Sequence, residues 1–315
     1  MAPPVRDGKS RVTKNQSATG CRLGDTTEGV QSLLMLTSAI RAFAVGLALL
    51  LAANLSSRVA AQQSARTDLT LVLAVDVSLS MDLEEQRLQR DGYVAAFRDP
   101  SIWRAIASGP LGRIAVTYVE WAGPATQTIV IPWTILDGPI AAKAFADELQ
   151  GKPISRARYT SISGVLDFSH RLLDTVPYEA TRRVIDVSGD GPNNSGLPVL
   201  EARDAVLAAG IVINGLPITV KIGGSFSQFD IQNLDQYYAD CVIGGPGSFS
   251  LPVRDRDQLV ETIRRKLLLE IAGLDPVQKG PLIRTQAPFI PQPKPPADCL
   301  IGEKLWRDYQ RQNSR

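Results

Sequence analysis

Histidine and cysteine are scarce in this sequence. His170 is the single histidine among 315 residues, and there are only three cysteines. A zinc hydrolase with several imidazole ligands is therefore excluded, because one ring cannot build such a site. Three cysteines are also too few for a small fold held together by a framework of disulfides. Carboxylates and hydroxyls are left as the groups from which a site can be built.

The sequence also lacks an excess of charge of one sign. Lys and Arg number 34 against 32 Asp and Glu, so the net charge is +2. Nucleic-acid binding relies on a clustered basic surface, and we therefore expect no nucleic-acid partner. The chain is 44% hydrophobic, which is enough apolar material for one large domain or two small ones.

A hydrophobic run long enough to span a membrane is missing. The apolar run at 42–55 (AFAVGLALLLAANL) has fourteen residues, short of the roughly 20 that a membrane-spanning helix needs. Arg41 before it and Val59-Ala60-Ala61 after it are typical of a secretory signal peptide, which we place at 35–61. The alternative is an uncleaved N-terminal anchor. Met35 begins a more usual signal peptide than Met1 does. We therefore expect residues 1–34 to be either disordered or a wrongly assigned start.

Export would place the mature chain, without a transmembrane helix, in the periplasm or outside the cell, where disulfides form. Cys21 lies in the leader, so Cys241 and Cys299 remain as an even pair. Either they form a disulfide that ties the C-terminal tail to the domain, or they are two unpaired thiols. The sequence leaves both alternatives open.

Strand-like and helix-like segments alternate between residues 67 and 273. This order predicts an α/β fold with a doubly wound, mostly parallel sheet flanked by helices, in one domain of about 200 residues. The predicted strands are 69–76, 113–121, 126–133, 183–188 and 211–218, with a short last strand from 241–243 and 248–253. The predicted helices are 83–98, 140–150, 161–175, 197–209, 230–240 and 255–272.

The pattern changes at Leu274, where a proline-rich tail over 274–315 begins. Seven prolines lie within 274–296, which favours an extended segment without a core of its own. A brief helix is predicted near the end, at 300–312.

Polar residues follow two of the predicted strands. Asp76, Ser78 and Ser80 form a DxSxS sequence at the end of the first strand, and Asp190 follows the strand at 183–188. Thr160 precedes the helix that lies between these strands in sequence. Carboxyl ends of parallel strands line one crevice. A carboxylate with hydroxyls suits a hard divalent ion, Mg²⁺ or Mn²⁺.

This ordered set, DxSxS, a Thr loop and a strand-end Asp-Gly, resembles the metal ion-dependent adhesion site of von Willebrand factor type A domains. The resemblance covers about 67–273. It implies a six-stranded sheet of order 3-2-1-4-5-6 with one short antiparallel strand. It also implies a divalent ion held by Asp76, Ser78, Ser80, Thr160 and Asp190, some through water. One coordination position is left open for an acidic group of a protein partner. In that family the last helix, here 255–272, can move when ligand binds.

The phrases VDVSLSM, VEWAG, RRVIDVSGDGPNN, GLPI and CVIGGPGSF also resemble a bacterial secreted group catalogued as domain of unknown function 1194. This second resemblance supports the domain extent and export. It adds no mechanism.

Several neighbouring residues compete for the same roles. Asp186 lies deeper in its strand than Asp190, and Ser161 competes with Thr160 by one position. Asn193 and Asn194 follow Asp190, and we favour a turn-forming role for both. His170 lies on the predicted helix after Thr160, and we expect it to be structural or exposed.

Two functions follow from these residues. The first is an exported binding module, not an enzyme, that uses the ion to hold an acidic group. The second is a metal-assisted hydrolase of the envelope, in which the ion activates water and Glu120 is the general base. We favour a simpler role for Glu120 and Trp121 at the end of a strand: Glu120 as an ordinary charged residue and Trp121 as an aromatic ring that packs in the fold.

Overall fold

The computed structural model describes residues 65–220, 229–273 and 295–314. The predicted start region at 1–34 and the signal peptide at 35–61 lie outside the described residues, as does 274–294 of the proline-rich tail. A compact unit extends from Ser64 to Arg315, and all of the elements below belong to it.

Five strands form the central sheet. They are β1 (Ala65–Asp76), β2 (Ile114–Trp121), β3 (Gln127–Leu136), β4 (Tyr178–Gly189) and β5 (Val212–Pro217). Their order is β3-β2-β1-β4-β5. β1 pairs in parallel with β2 and β4, β4 pairs in parallel with β5, and β3 is antiparallel to β2. The doubly wound, mostly parallel α/β fold predicted from the sequence is confirmed.

The prediction of a sheet of six strands, the last of them short, is corrected to five strands among the described residues. The segment predicted as the last strand does lie beside β5, but it forms only isolated bridges, Gly215 with Ser250 and Ile218 with Val253. Leu251 donates its N–H to Gly215, and Val253 donates to Pro217. Pro217 has no N–H to donate in return, so the ladder is interrupted in the middle. Cys241 and Val242, predicted as strand, instead belong to a π-helical turn, Tyr238–Val242.

Helices cover both faces of the sheet. They are α1 (Leu83–Arg98), α2 (Pro100–Ala107), α3 (Pro139–Gly151), α4 (Ile162–Asp174), α5 (Val199–Ala208), α6 (Leu234–Tyr237), α7 (Leu259–Ala272) and α8 (Ile301–Asn313). The predicted helix at 230–240 is reduced to α6 and the π-helical turn. Helix α2 was not predicted from the sequence, although Asp99 caps its N-terminus and Pro100 begins it. None of the helices described is long and apolar enough to cross a membrane.

The core has two halves, one on each side of the sheet. Side chains of β1 alternate between them: Leu71 and Leu73 join the half that contains residues of α1 and α7, whereas Val72 and Ala74 join the half that contains residues of α4 and α5. Burial on both faces explains why β1 is an almost continuous apolar run. The packing of β1 on both faces therefore fixes where the strand ends relative to its neighbours in the sheet.

A buried ionic cluster connects α7 to the sheet. Lys266 pairs with Asp186 of β4 and with Glu270 one turn further along α7, and all three side chains are at most 1% exposed. Asn214 Nδ2 donates to Glu270 Oε1 at 3.1 Å. One ammonium faces two carboxyl groups. Burial and the neighbouring Asp186 together raise the pKa of Glu270 to about 7, and burial also raises the pKa of Asp186.

This cluster predicts that the protein becomes less stable as pH rises from about 4.5 to about 7. In that window the folded state keeps a proton on the cluster which the unfolded chain releases, so the free energy of unfolding falls with rising pH. The effect is at most on the order of 3 kcal/mol, since a tenfold change in proton affinity is worth about 1.4 kcal/mol. Urea unfolding at several pH values measures it.

Glu270→Gln should flatten the profile in this window, because the amide cannot ionise. Glu261→Gln, on the exposed side of the same helix, is the matched control and should leave the slope unchanged. An unchanged slope in Glu270→Gln would contradict the assignment.

Candidate metal centre

The first part of the site is the turn that follows β1. Asp76 is the last residue of the strand and is fully buried, and its Oδ1 accepts the backbone N–H of Ser78 at 2.7 Å. This bond turns the chain sharply. As a result the side chains of Ser78 and Ser80 are on the same side of the turn.

The second part is a short chain of oxygens that joins this turn to β4. Ser80 Oγ donates to Asp190 Oδ1 at 2.7 Å, and Ser78 Oγ lies 2.7 Å from Ser80 Oγ. Asp190 directly follows the last residue of β4. The register, Val75 opposite Ser188, brings the end of β4 beside the end of β1. Two loops far apart in sequence thus bring their oxygens together.

Thr160 lies in the third loop, and its neighbour Ser161 has a different role. Ser161 Oγ accepts the N–H of Gly164 at 3.1 Å and caps α4. The backbone of Thr160 is held on both sides by Asn194, whose Oδ1 accepts the Thr160 N–H at 2.9 Å and whose N–H donates to the Thr160 carbonyl at 2.8 Å. Because Ser161 serves as the cap, the Thr160 hydroxyl is not needed there. Thr160 lines the same pocket as Ser78 and Ser80.

The donor set fits a small hard cation. Two hydrogen bonds of 2.7 Å, Ser78 with Ser80 and Ser80 with Asp190, hold the three oxygens close enough for one small ion to contact them, since neighbouring ligands of an octahedral Mg²⁺ lie about 3.0 Å apart when each bond is about 2.1 Å. All the side chains are carboxylates or hydroxyls, the ligand types that Mg²⁺ and Mn²⁺ prefer. With only two carboxylates the set differs from acidic metal clusters, and the described residues contain no group of three or more His, Cys, Asp or Glu arranged to hold a metal.

The competing residues are engaged elsewhere. Asp186 pairs with Lys266 in the core. His170 Nε2 lies 3.4 Å from Asp174 Oδ2, one turn along α4. Glu120 is 2% exposed, pairs with Arg90 through Oε1, and accepts the Ser155 N–H at Oε2. Both oxygens of Glu120 are therefore occupied within the protein, one by Arg90 and one by the Ser155 N–H, and the residue does not line the pocket.

Asn193 and Asn194 do more than form a turn. Asn194 holds the Thr160 loop, as described above, and lines the pocket. Asn193 Oδ1 accepts the N–H of Ser163 at 3.0 Å, and its Nδ2 donates to Glu303 Oε1 of α8 at 2.7 Å. The loop after β4 is thus tied to α4 on one side and to α8 on the other.

Gly189 and Tyr238 form the floor beneath the two aspartates, and neither was predicted from the sequence. A Cβ on Gly189 would lie 2.9 Å from Asp76 Oδ2 and 3.0 Å from Tyr238 Oη, so a glycine lets these groups approach each other. Burial, Asp76 and Asp190 raise the pKa of Tyr238 well above its ordinary value. Tyr238 begins a π-helical turn, a feature frequent at functional sites.

Helix α8 turns the edge of the sheet into a pocket of about 610 Å³. Trp306 and Tyr309 of α8 line it, together with Tyr159 and Phe229. The Trp306 ring lies 5.1 Å from that of Tyr159 and 5.5 Å from that of Phe229, measured between centroids. The predicted helix in the tail is thus present, but its packing on the site was not predicted.

Three contacts hold α8 in place. The Cys241–Cys299 disulfide joins the residues before α8 to the π-helical turn, which confirms the first of the two alternatives for these cysteines. Glu303 accepts the hydrogen bond from Asn193. Gly302 packs so closely that a Cβ there would collide with the Asn193 carbonyl oxygen.

The chain belongs to the family described as "Protein of unknown function (DUF1194)", whose profile matches residues 66–275. No curated protein matches it. Among solved structures it is similar to proximal thread matrix protein 1 from the mussel byssus, solved with a zinc-occupied MIDAS motif, at 13% identity and a TM-score of 0.46. The alignment covers 65% of this chain and 46% of that protein.

Two bacterial pilus proteins are also similar. The pilus adhesin SpaC from Lactobacillus rhamnosus GG aligns at 13% identity and a TM-score of 0.47, over 67% of this chain and 30% of that one. The vWF domain of the type V pili tip protein Mfa5 from Porphyromonas gingivalis aligns at 8% identity and a TM-score of 0.46, over 66% and 97%. This chain therefore spans less than half of the mussel protein and of SpaC.

Because the disulfide holds the residues before α8, we expect Cys299→Ser to make this helix open more often. The bridge closes a loop between residues 58 positions apart, and on a loop-entropy estimate its loss lowers the free energy of unfolding by up to about 4 kcal/mol. Hydrogen exchange should show lower protection across 301–313, with β1 still protected. Cys241→Ser removes the same bridge and should give the same pattern. Unchanged exchange in α8 in both variants would show that the other contacts suffice.

Proposed function

We propose that this protein is an exported binding module that holds a divalent cation, Mg²⁺ or Mn²⁺, and uses it to bind an acidic group of a protein partner. The observation that supports this most strongly is the convergence of Ser78, Ser80 and Asp190, whose oxygens are joined by two hydrogen bonds of 2.7 Å and so lie within reach of one ion. Asp76 and Thr160 complete the proposed ligand set.

Each proposed ligand has a clear task. Asp190 and Asp76 supply negative charge, and Ser78, Ser80 and Thr160 supply neutral oxygens. Two carboxylates leave a divalent ion without excess negative charge around it. Such an ion still attracts an acidic ligand, and the low dielectric of a partly buried site strengthens that attraction. In this proposal the partner's carboxylate takes the open coordination position from the pocket side.

Export is part of the proposal. The disulfide between Cys241 and Cys299 is typical of proteins that fold in oxidising compartments, and the sequence at 35–61 resembles a signal peptide. The alternative of a metal-assisted hydrolase has lost its proposed base, because both carboxylate oxygens of Glu120 are occupied within the protein. No other observation favours it.

Calorimetric titration with Mg²⁺ and with Mn²⁺ tests the metal. The wild-type protein should bind one ion, and Asp76→Ala combined with Asp190→Ala should abolish binding because all the charge of the site is lost. Asp167→Ala, at an exposed position of α4, is the control and should bind normally. If the wild type gave no heat with either ion, or the double variant bound normally, the proposal would be wrong.

A pair of adjacent substitutions separates metal binding from helix capping. Thr160→Ala should weaken metal binding about tenfold or more, as loss of a group from a metal site does, with little effect on stability. Ser161→Ala removes the cap of α4 and should cost about 1 kcal/mol of stability without changing metal affinity. Calorimetry and urea unfolding of both variants measure the two effects. The opposite pattern would make Ser161 the ligand.

A further inference from the structure

The pocket above the proposed metal centre is larger than a carboxylate requires. Its volume is about 610 Å³, within the range of sites that enclose a ligand of several tens of atoms. Ser78 and Thr160, at its metal end, are 1% and 4% exposed. A flat protein surface could not reach oxygens so deeply placed, whereas a protruding segment could.

One wall of this pocket is aromatic. Trp306 and Tyr309 are three residues apart on α8, so they share a face of the helix, and their ring centroids are 5.4 Å apart. Tyr159 meets Trp306 edge to face. Tyr159 is 41% exposed and has a positive φ of 72°, a strained conformation for a non-glycine residue and one that occurs at binding sites. It directly precedes Thr160, so this wall adjoins the proposed ligand set.

The charged side chains that line the pocket are of both signs, Arg156 and Arg158 against Asp82, Glu85 and Asp230, so the attraction for an acidic group comes from the bound ion. Arg158 lines the pocket and forms no ion pair or hydrogen bond with a described residue. Asp82, a lining carboxylate, is already used to cap α1, where it accepts the N–H groups of Glu84 and Glu85 at 2.7 and 2.8 Å.

The geometry points to a partner segment in which an aromatic side chain stands next to the metal-binding acidic residue. The carboxylate would reach the ion while the ring packs against Trp306 and Tyr309. This inference rests on the proposed function, since it needs the ion. It adds the chemistry of the ligand: an acidic-aromatic sequence on a protruding loop or chain end of a protein.

Two capped peptides test it on the oxidised protein saturated with Mg²⁺. One has aspartate followed by phenylalanine, the other aspartate followed by alanine, and calorimetry measures both affinities. The phenylalanine peptide should bind about tenfold more tightly, because its ring is removed from water onto aromatic side chains. Trp306→Ala should abolish this difference without changing the affinity for Mg²⁺ or for the alanine peptide. Tyr309→Ala serves as a second variant that should reduce the difference.

The matched control is Trp103→Ala, which removes a partly exposed tryptophan of α2 that does not line the pocket and should keep the full preference. Normal Mg²⁺ binding with equal affinities for the two peptides would overturn this inference and leave the proposed function intact. Absence of Mg²⁺ binding would overturn both. Phenylacetate binding as tightly as the phenylalanine peptide would overturn the assignment to a protein segment and favour a small aromatic acid.

Discussion

The parallel pairing of β1 with β4 is the interaction on which the site depends. Both strands lie in the middle of the sheet, and the register that aligns Val75 with Ser188 brings the residues after each strand side by side. Burial of β1 on both faces prevents a change of register, because a shift by one residue would exchange the side chains of the two core halves. The hydrogen bond from Ser80 to Asp190 follows from this alignment, and so does the proximity of the oxygens that we propose as metal ligands.

The C-terminal helix α8 forms a wall of the pocket at this edge of the sheet. Without α8, the oxygens of Ser78 and Ser80 would face an open crevice at the end of the sheet. The disulfide at Cys299 and the close packing of Gly302 on Asn193 hold α8 beside that crevice. The loop after β4 therefore has two tasks, since Asp190 belongs to the proposed ligand set while Asn193 anchors the wall. Trp306 and Tyr309 of α8 line the pocket, whereas none of the proposed ligands lies on α8.

Features that depend on residues close together in sequence could be predicted, whereas features that depend on contacts between distant residues could not. The proximity of Asp76, Ser78, Ser80 and Asp190 could be predicted because their strands are marked by local apolar runs and strand ends meet at one edge. The place of Trp306 could not, because it depends on a disulfide between residues 58 positions apart. The role of Glu120 was also hidden, since its partner Arg90 lies on another element. The absence of a sixth strand among the described residues could have been predicted from Pro217, because proline has no N–H and so interrupts the pairing.

The buried cluster at Lys266 bears on whether α7 can move as the last helix does in the family that the sequence resembles. Lys266 joins α7 to Asp186, four residues before Asp190 on the strand that leads to the site. A shift of α7 by one turn would separate these charges inside the core, and leaving a buried charge without its partner typically costs about 3–5 kcal/mol. Asn214 and the hydrogen bonds from Arg182 to the last carbonyls of α7 oppose the same motion. Any movement of α7 on ligand binding would therefore have to overcome this energy.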